Sequence, residues 1–322
     1  MTIKISVVIP VFNEAEAIIT LIKKIDNVLS RNYRGNFEVL LVDDGSSDNT
    51  EEVLAKEKTN FSWLKIITLA RNYGQSTALQ AGFDFSRGNI IVTMDGDLQN
   101  DPEDIPKLIG LIQKNENIDL VSGWRKNRHD ATFTRKIPSK IANSLISKVT
   151  GVKLHDYGCS LKVYRSTVIK NIRLYGEMHR FIPAIAAEVG AKIIEVPVEH
   201  HPRTTGVSKY GIDRTARVLL DLIWIKFSRK FIHRPIHAFG GIALIMLVSG
   251  LLIFSWLFFE KIFLGNDIGG RPLLILGLLL TLIGTQLLAV GLIGELLTRI
   301  YHEPYGRKQY LIKKISSSED NQ

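Results

Sequence analysis

Asp95-Gly96-Asp97-Leu98-Gln99 directly follows the apolar run Ile90-Ile91-Val92-Thr93-Met94. Residues two apart on an extended strand lie on the same side. If strand geometry carries past Met94, the carboxylates of Asp95 and Asp97 and the Gln99 amide oxygen project together. Such a cluster of hard oxygen donors suits Mg²⁺ or Mn²⁺. Magnesium usually takes one or two protein carboxylates and leaves its other positions to water and substrate phosphates, so the cluster reads as a seat for a metal–diphosphate. Asp-Gly-Asp alone would equally suit a plain turn after a strand. The other segments decide between the two.

The elements that must hold this cluster alternate between strand and helix, the pattern of an α/β domain with a mainly parallel sheet. A buried strand is expected over residues 5–11 and a helix over 14–29. The second strand, 37–42, ends in Asp43-Asp44-Gly45-Ser46. A helix follows it, with Asp48 and Glu51 spaced as N-cap and N3. Residues 64–69 read as a third strand and 74–85 as a helix. Functional groups in such sheets gather at the carboxyl ends of strands. Three polar clusters fall there: Asn13-Glu14, Asp43-Asp44 and Asp95/Asp97. No Gly-x-Gly-x-x-Gly follows the first strand and no P-loop is present, which argues against dinucleotide-binding and ATPase readings.

Further along, the basic stretch from Gly123 to His129, running on to Lys136, reads as a mobile loop. Residues 161–164 look strand-like, 181–189 helical and 192–198 extended, leading to His200-His201. Neighbours on a strand face opposite ways, so these two histidines do not read as a metal pair.

Hydrophobicity is unevenly spread along the 322 residues. Residues 238–259 and 273–297 carry no charge until Glu295, and each run exceeds the ~20 residues that span a bilayer. Joined by a short loop, they read as a transmembrane hairpin. The N-terminus lacks signal-peptide architecture. Lys226, Arg229, Lys230 and Arg234 precede the first run, and Arg299, Arg307, Lys308, Lys313 and Lys314 follow the second, against Lys261 and Arg271 in the loop. The positive-inside rule then puts both termini and the catalytic domain in the cytoplasm. Just before the hairpin, Ile212, Ala216, Leu219, Leu220, Ile223, Phe227 and Phe231 form a helical stripe opposite Arg214, Arg217, Asp221 and Ser228. That pattern is an amphipathic helix lying in the membrane interface. The expected layout is therefore a catalytic domain over 1–210, an interfacial helix over 211–235, a hairpin over 236–298 and a basic tail over 299–322. The hairpin leaves lipid-facing surface on which protomers could pack.

The net charge of +9 comes with no nucleic-acid recognition motif, and attraction to an anionic membrane surface accounts for it. The single cysteine, Cys159, excludes an internal disulfide and fits a reducing compartment.

Four segments occur in order: Val8-Ile9-Pro10-Val11-Phe12-Asn13-Glu14, Val42-Asp43-Asp44-Gly45-Ser46, Arg71-Asn72-Tyr73-Gly74-Gln75 and Asp95-Gly96-Asp97-Leu98-Gln99. Together they resemble family-2 glycosyltransferases with a GT-A fold. Asp156-Tyr157-Gly158-Cys159-Ser160-Leu161-Lys162, the segment Arg203 to Tyr210, and the segment Gly294 to Tyr301 narrow the resemblance to the polyprenyl-phosphate glycosyltransferases, and the likeness runs through nearly the whole chain.

The resemblance implies that Pro10, Phe12, Glu14, Gln75, Asp95 and Asp43 or Asp44 bind a nucleoside-diphosphate sugar. It implies a divalent metal on Asp95, Asp97 and Gln99, and a polyprenyl-phosphate lipid contacted by Arg125, Arg135 and Ser139. Arg203, Ser208 and Lys209 would line the phosphate-rich centre, and Asp156 occupies a position proposed as a base. Transfer in this family inverts the anomeric centre. An acceptor phosphate monoester has a second pKa near ~6 and needs little deprotonation, so Asp156 serves equally well by orienting Lys209, Arg203 or the sugar. Arg125 and Arg135, on a loop beside the site, would close over substrate.

Two other readings compete. A processive polysaccharide synthase would resemble its relatives in a Gln-x-x-Arg-Trp motif and a larger bundle of spans, and the chain has neither. A non-catalytic nucleotide-sugar binder would have no need of both Asp95 and Asp97.

Overall fold

The computed structural model describes residues 4–126, 143, 144, 146–148, 150–202 and 236–302. Contacts divide the chain into two compact units, Met1–Ile225 and Lys226–Gln322. Arg135, Ser139, Arg203, Ser208, Lys209, the interfacial helix and the tail beyond 302 lie outside the described residues.

In the first unit, β1 (Ile5–Val11), α1 (Ala15–Tyr33), β2 (Phe37–Asp43), α2 (Thr50–Asn60), β3 (Leu64–Thr68), α3 (Gln75–Phe85) and β4 (Ile90–Thr93) alternate as expected. Then come α4 (Asp104–Lys114), β5 (Leu120–Trp124), β6 (Lys162–Arg165), the single turn α5 (Ser166–Ile169), a 3-10 turn at Met178–Phe181, α6 (Ile182–Glu188) and β7 (Ile193–Pro197). Seven strands form one sheet in the order β3-β2-β1-β4-β6-β5-β7. All pairings are parallel except those of β6, which runs antiparallel to both β4 and β5. Two reversals restore direction, so β5 and β7 end on the same edge as β1, β2 and β4. Lys162, which opens β6, enters the sheet at that edge, opposite Thr93 and Ser122.

Both faces of the sheet are covered, which is why β1, β2 and β4 are almost wholly buried rather than alternating. On α1 the buried residues Ala17, Ile18, Leu21, Ile22, Ile25, Val28 and Leu29 recur at helical spacing. Of these, Ile18, Leu21, Ile22, Ile25 and Leu29 join Val7, Ile9 and Val39, together with Ile105, Leu108 and Ile109 of α4, in one core. On the other face Val8, Leu40 and Val42 meet Leu79 and Phe83 of α3 and Tyr164 of β6.

Several expectations are corrected. β4 stops at Thr93, and residues 95–99 form a turn in which Leu98 has a left-handed φ of 63°. The peptide N–H of Gln99 donates to Asp97 Oδ1 at 3.2 Å, so this turn, not a continued strand, places the acidic pair. The N-cap of α2 is Asn49 rather than Asp48. Asp48 instead accepts from the Thr50 N–H at 3.0 Å and reaches across to the Ala15 N–H at the start of α1. Gly123 and Trp124 close β5 instead of opening a loop. The histidines do separate: His200 is buried, whereas exposed His201 bonds Asp101 Oδ2 at 2.9 Å.

The second unit is a helical hairpin of α7 (Ile236–Phe263) and α8 (Pro272–His302). Its helices pack closely at glycines. Gly250 lies on Thr281, Gly277 on Ile253 and Phe254, and Gly284 on Leu247 and the Ala243 carbonyl. Ala238–Phe263 and Pro272–Gly294 are long and apolar enough to cross a membrane and are mostly unburied, with Leu244, Leu252, Phe258 and Leu278 among the exposed side chains. They fit a transmembrane hairpin.

Candidate active site

The sheet edge formed by the ends of β1, β2, β4 and β5 carries the candidate site. The ends of β1 and β2 are level, with Val11 opposite Asp43, and they are stitched together. The Asn13 N–H donates to Ser46 Oγ at 2.9 Å, and the Ser47 N–H donates to Asn13 Oδ1 at 2.8 Å. Asn13 itself has a φ of 55°, a conformation asparagine tolerates better than most residues. Pro10, Phe12 and Glu14 are half-buried along this seam, and the Glu14 N–H donates to Thr50 Oγ1 at 3.1 Å.

The two aspartates ending β2 diverge in their partners. Asp43 Oδ1 accepts from the peptide N–H and hydroxyl of Ser46. Asp44 accepts from the N–H groups of Tyr73 and Gly74, both at 2.8 Å. Burial lifts the Asp44 carboxyl above its ordinary range, opposed by those two donors and aided by the charge of Asp43. Asp44 thus anchors the segment that delivers Gln75 to the first turn of α3. Gly45 lets this segment come close: its φ is 67°, and a Cβ there would run into the backbone of Arg71 and Asn72. Gln75 Nε2 in turn donates to Asp95 Oδ1 at 2.8 Å, while the Asp95 N–H donates to Asn100 Oδ1 at 3.3 Å. Three strand ends are thereby linked through side chains.

Beyond β4, Arg125 and Asp156 form a bidentate pair, with Nε to Oδ2 at 2.7 Å and Nη2 to Oδ1 at 3.0 Å. The side chains are 13% and 7% exposed, so Arg125 is not a surface loop charge. Burial opposes its charge, but the bonds to Asp156 and that carboxylate's field more than offset this and raise its pKa above the ordinary value. Asp156 also accepts from the Gly158 N–H, and its own N–H donates to Glu195. One residue back on each segment, the rings of Trp124 and His155 stack at 4.4 Å.

Beside Asp95 opens a cavity of about 50 Å³, lined among others by Gln75, Asp95, Tyr157, Lys162, His179 and Arg180. Lys162 is a functional candidate that sequence reasoning passed over. Its signal was a lone lysine in the otherwise apolar strand Leu161–Tyr164. It is 3% exposed, and its ammonium donates to the Cys159 carbonyl. Burial holds its pKa below the ordinary lysine value, against the attraction of Cys159, Asp156 and Asp95. His179 Nδ1 pairs with Ser76 Oγ at 2.9 Å.

The donors present fit a divalent ion held on a diphosphate. Asp95 and Asp97 supply only oxygen, on one turn, and no group of three or more His, Cys, Asp or Glu side chains makes a closed metal cage among the described residues. Gln99 lies on the same turn, its carbonyl accepting from the His201 N–H at 2.8 Å.

Residues 6–173 match the model of glycosyl transferase family 2. This chain belongs to that family. It is 46% identical over 320 residues, 98% of this chain and 93% of the relative, to a dodecaprenyl-phosphate galacturonate synthase of Rhizobium johnstonii. Among solved structures it resembles glucosyl-3-phosphoglycerate synthase of Mycobacterium tuberculosis. The complex with Mn²⁺, UDP and phosphoglyceric acid gives a TM-score of 0.54 at 20% identity, covering 70% of this chain and 78% of that one. The Mg²⁺–UDP complex gives 0.53, also at 20% identity, covering 70% and 79%. These structural likenesses establish the GT-A-type α/β fold. The family-2 membership makes the chain a glycosyltransferase, and the edge bearing Asp43, Asp95 and Asp97 its candidate catalytic site.

Proposed function

We propose that this glycosyltransferase moves a sugar, with inversion, from a nucleoside-diphosphate sugar to a polyprenyl phosphate at the cytoplasmic face of a membrane. The likeness to a polyprenyl-phosphate sugar synthase over 98% of the chain, apolar helices included, carries this reading. Galacturonate, named in that relative, is the first donor sugar to test.

In this reading Pro10, Phe12, Glu14, Asp43 and Asp44 receive the nucleoside, with Asp44 acting mainly by holding the Tyr73–Gly74 segment in place. Asp95 and Asp97, with Gln99 beside them, hold Mg²⁺ or Mn²⁺ on the diphosphate. When bound, the ion stabilises negative charge on the leaving diphosphate. Arg125 binds acceptor phosphate through its fork geometry, and Asp156 fixes the orientation of that fork. Arg135, Ser139, Arg203, Ser208 and Lys209 complete the acceptor side. Withdrawing a polyprenyl tail from lipid would cost roughly 0.8 kcal/mol per CH₂, so a hairpin anchor meets the acceptor where it resides. The layout of catalytic domain, interfacial helix, hairpin and tail belongs to the same proposal.

The test is transfer by the full chain in nanodiscs. Labelled UDP- and GDP-sugars, including UDP-galacturonate, are offered with a polyprenyl phosphate, with Mg²⁺ or Mn²⁺ and with chelator. An organic-extractable product that disappears with chelator, and falls about 10²–10³-fold in Asp97→Ala, supports the proposal. Donor binding without lipid product from any sugar would overturn the acceptor assignment.

A further inference from the structure

Four strands of the sheet share a polar rung, and three of its members hold one loop. Register sets Thr93 of β4 opposite Lys162 of β6, Lys162 opposite Ser122 of β5, and Ser122 opposite Glu195 of β7. Residues directly opposite across paired strands lie on one face of the sheet. One rung back on that face, Ile91, Tyr164, Leu120 and Ile193 are aligned in the same way and pack in apolar core. The face therefore turns from apolar to polar where it meets residues 155–160.

The bonds from this rung go to the main chain of that loop at both of its ends. Thr93 Oγ1 donates to the Ser160 carbonyl at 2.8 Å, and Lys162 Nζ donates to the Cys159 carbonyl. At the other end the Glu195 carboxylate accepts from the N–H of His155 at 2.9 Å and the N–H of Asp156 at 2.8 Å, and it pairs with His155 Nδ1 at 2.7 Å. The Glu195 side chain is 9% exposed, so water competes little for these bonds. Between the two fastenings the loop carries Asp156. Its carboxylate takes the Arg125 fork and also the N–H groups of Arg125 and Gly158. The loop runs directly against the guanidinium, since a Cβ on Gly158 would lie 3.0 Å from Arg125 Nη2. A main chain tied on both sides of Asp156 fixes that carboxylate, and the carboxylate aims Arg125.

We propose that Thr93, Lys162 and Glu195 are positioning residues for the acceptor side of the reaction, holding loop 155–160 so that Asp156 presents the Arg125 guanidinium at one angle. The inference rests on the glycosyl-transfer reading and deepens it, adding three side chains that act on the acceptor through Arg125.

Glu195→Gln keeps the side-chain volume but replaces an accepting oxygen with an NH₂ donor, facing main-chain N–H groups. Two measurements on the full chain in nanodiscs are independent of transfer. Hydrogen exchange over residues 154–161 should speed up about 10-fold in the variant while β1 and β2 stay protected. Modification of Arg125 by phenylglyoxal, followed by mass spectrometry, should be slow in wild type and fast in both Glu195→Gln and Asp156→Asn. In transfer from UDP-galacturonate to a polyprenyl phosphate, acceptor kcat/KM should fall about 10-fold, as small misplacements do, with donor affinity by titration calorimetry unchanged. Because Glu195 acts through Asp156, adding Glu195→Gln to Asp156→Asn should cost little more than Asp156→Asn alone. Losses that multiply in the double variant, or that fall equally on donor affinity, would mark a merely structural carboxylate and overturn the assignment. So would unchanged exchange over the loop or unchanged Arg125 modification. If Glu195→Gln does not fold, Thr93→Val must loosen the same loop and release Arg125 for the inference to stand. A loosened loop and reactive Arg125 in a chain whose wild type yields no lipid product would sink the acceptor assignment and leave the positioning of Arg125 intact.

Discussion

Arg125 and Asp156 illustrate how an assignment changes once partners are known. In sequence, Arg125 opens a basic stretch and Asp156 sits alone 31 residues later. In the fold they form a bidentate pair: two guanidinium nitrogens meet two carboxylate oxygens. A carboxylate so engaged is suited to aiming a cation, and a mostly ionised acceptor phosphate does not require a strong base. Arg125→Lys keeps the charge and loses the fork. Acceptor kcat/KM is expected to fall about 10–100-fold, with donor affinity changing little. Asp156→Asn should give a similar loss, and the double variant much less than the product of the two, as coupled neighbours do. Steady-state kinetics across pH checks this, since a true base would remove the acidic limb of the profile in Asp156→Asn, whereas an orienting group leaves its shape. The acidic pair stood out in sequence only in company with the other segments, because Asp-Gly-Asp alone equally suits a plain turn. Lys162 did not, because one lysine in a strand gives no hint that it faces a cavity.

At the scale of elements, the strands and helices up to β4 were readable from their alternation, and β6, α6 and β7 from the runs at 161–164, 181–189 and 192–198, whereas α4 and β5 were not. α4 buries Ile105, Leu108, Ile109 and Ile112 at helical spacing, but Pro106 and Gly110 obscure the pattern in sequence. β5 is five residues ending in Ser122-Gly123-Trp124, and its apolar content is too low to stand out from a loop. Between β1, β2 and β3 a buried polar cluster also escaped notice. Glu38, 1% exposed, accepts from Ser6 Oγ at 2.6 Å, Lys65 Nζ at 2.5 Å and the Arg87 N–H at 2.7 Å. Burial alone would raise the Glu38 pKa, yet these donors bring it below its ordinary 4.5. The stabilisation is therefore fully present above pH 4.5 and disappears as pH falls through the lower folded-state value. Glu38→Gln is expected to destabilise the protein by about 1–3 kcal/mol at pH 7, since it leaves Lys65 without its charge partner. The gap from wild type should shrink below that pKa. Thermal melts of both proteins from pH 3 to 7 decide it, and a gap independent of pH would show that the charge contributes nothing.

For the whole molecule, membrane residence was legible from two apolar runs, whereas orientation is a matter of charge counting and calls for a direct measurement. The native thiol makes one convenient. Cys159 is fully buried and its pKa is pushed up to about 11 by that burial, so it is expected to resist maleimides in the folded protein. In Asn266→Cys, placed in the short connection between α7 and α8, an impermeant maleimide added to intact cells should label the protein. In Ser318→Cys it should label only after lysis. The opposite pattern would reverse the topology and put the catalytic edge on the wrong side for cytoplasmic donors.

The antiparallel insertion of β6 has a consequence for biosynthesis. β5 pairs only with β6 and β7, both made after it, and β4 has an open edge until residue 165 is available to cover it. A ribosome that has just released Trp124 has thus supplied the half-sheet bearing Asp43 and Asp95 but none of β5's neighbours. At ~5–20 residues per second, roughly 4–15 s pass before Pro197 completes the set. During that interval the nascent chain offers an unpaired parallel edge ahead of two apolar helices still to come. Chains arrested between residues 125 and 197 are therefore expected to be the species that chaperones hold.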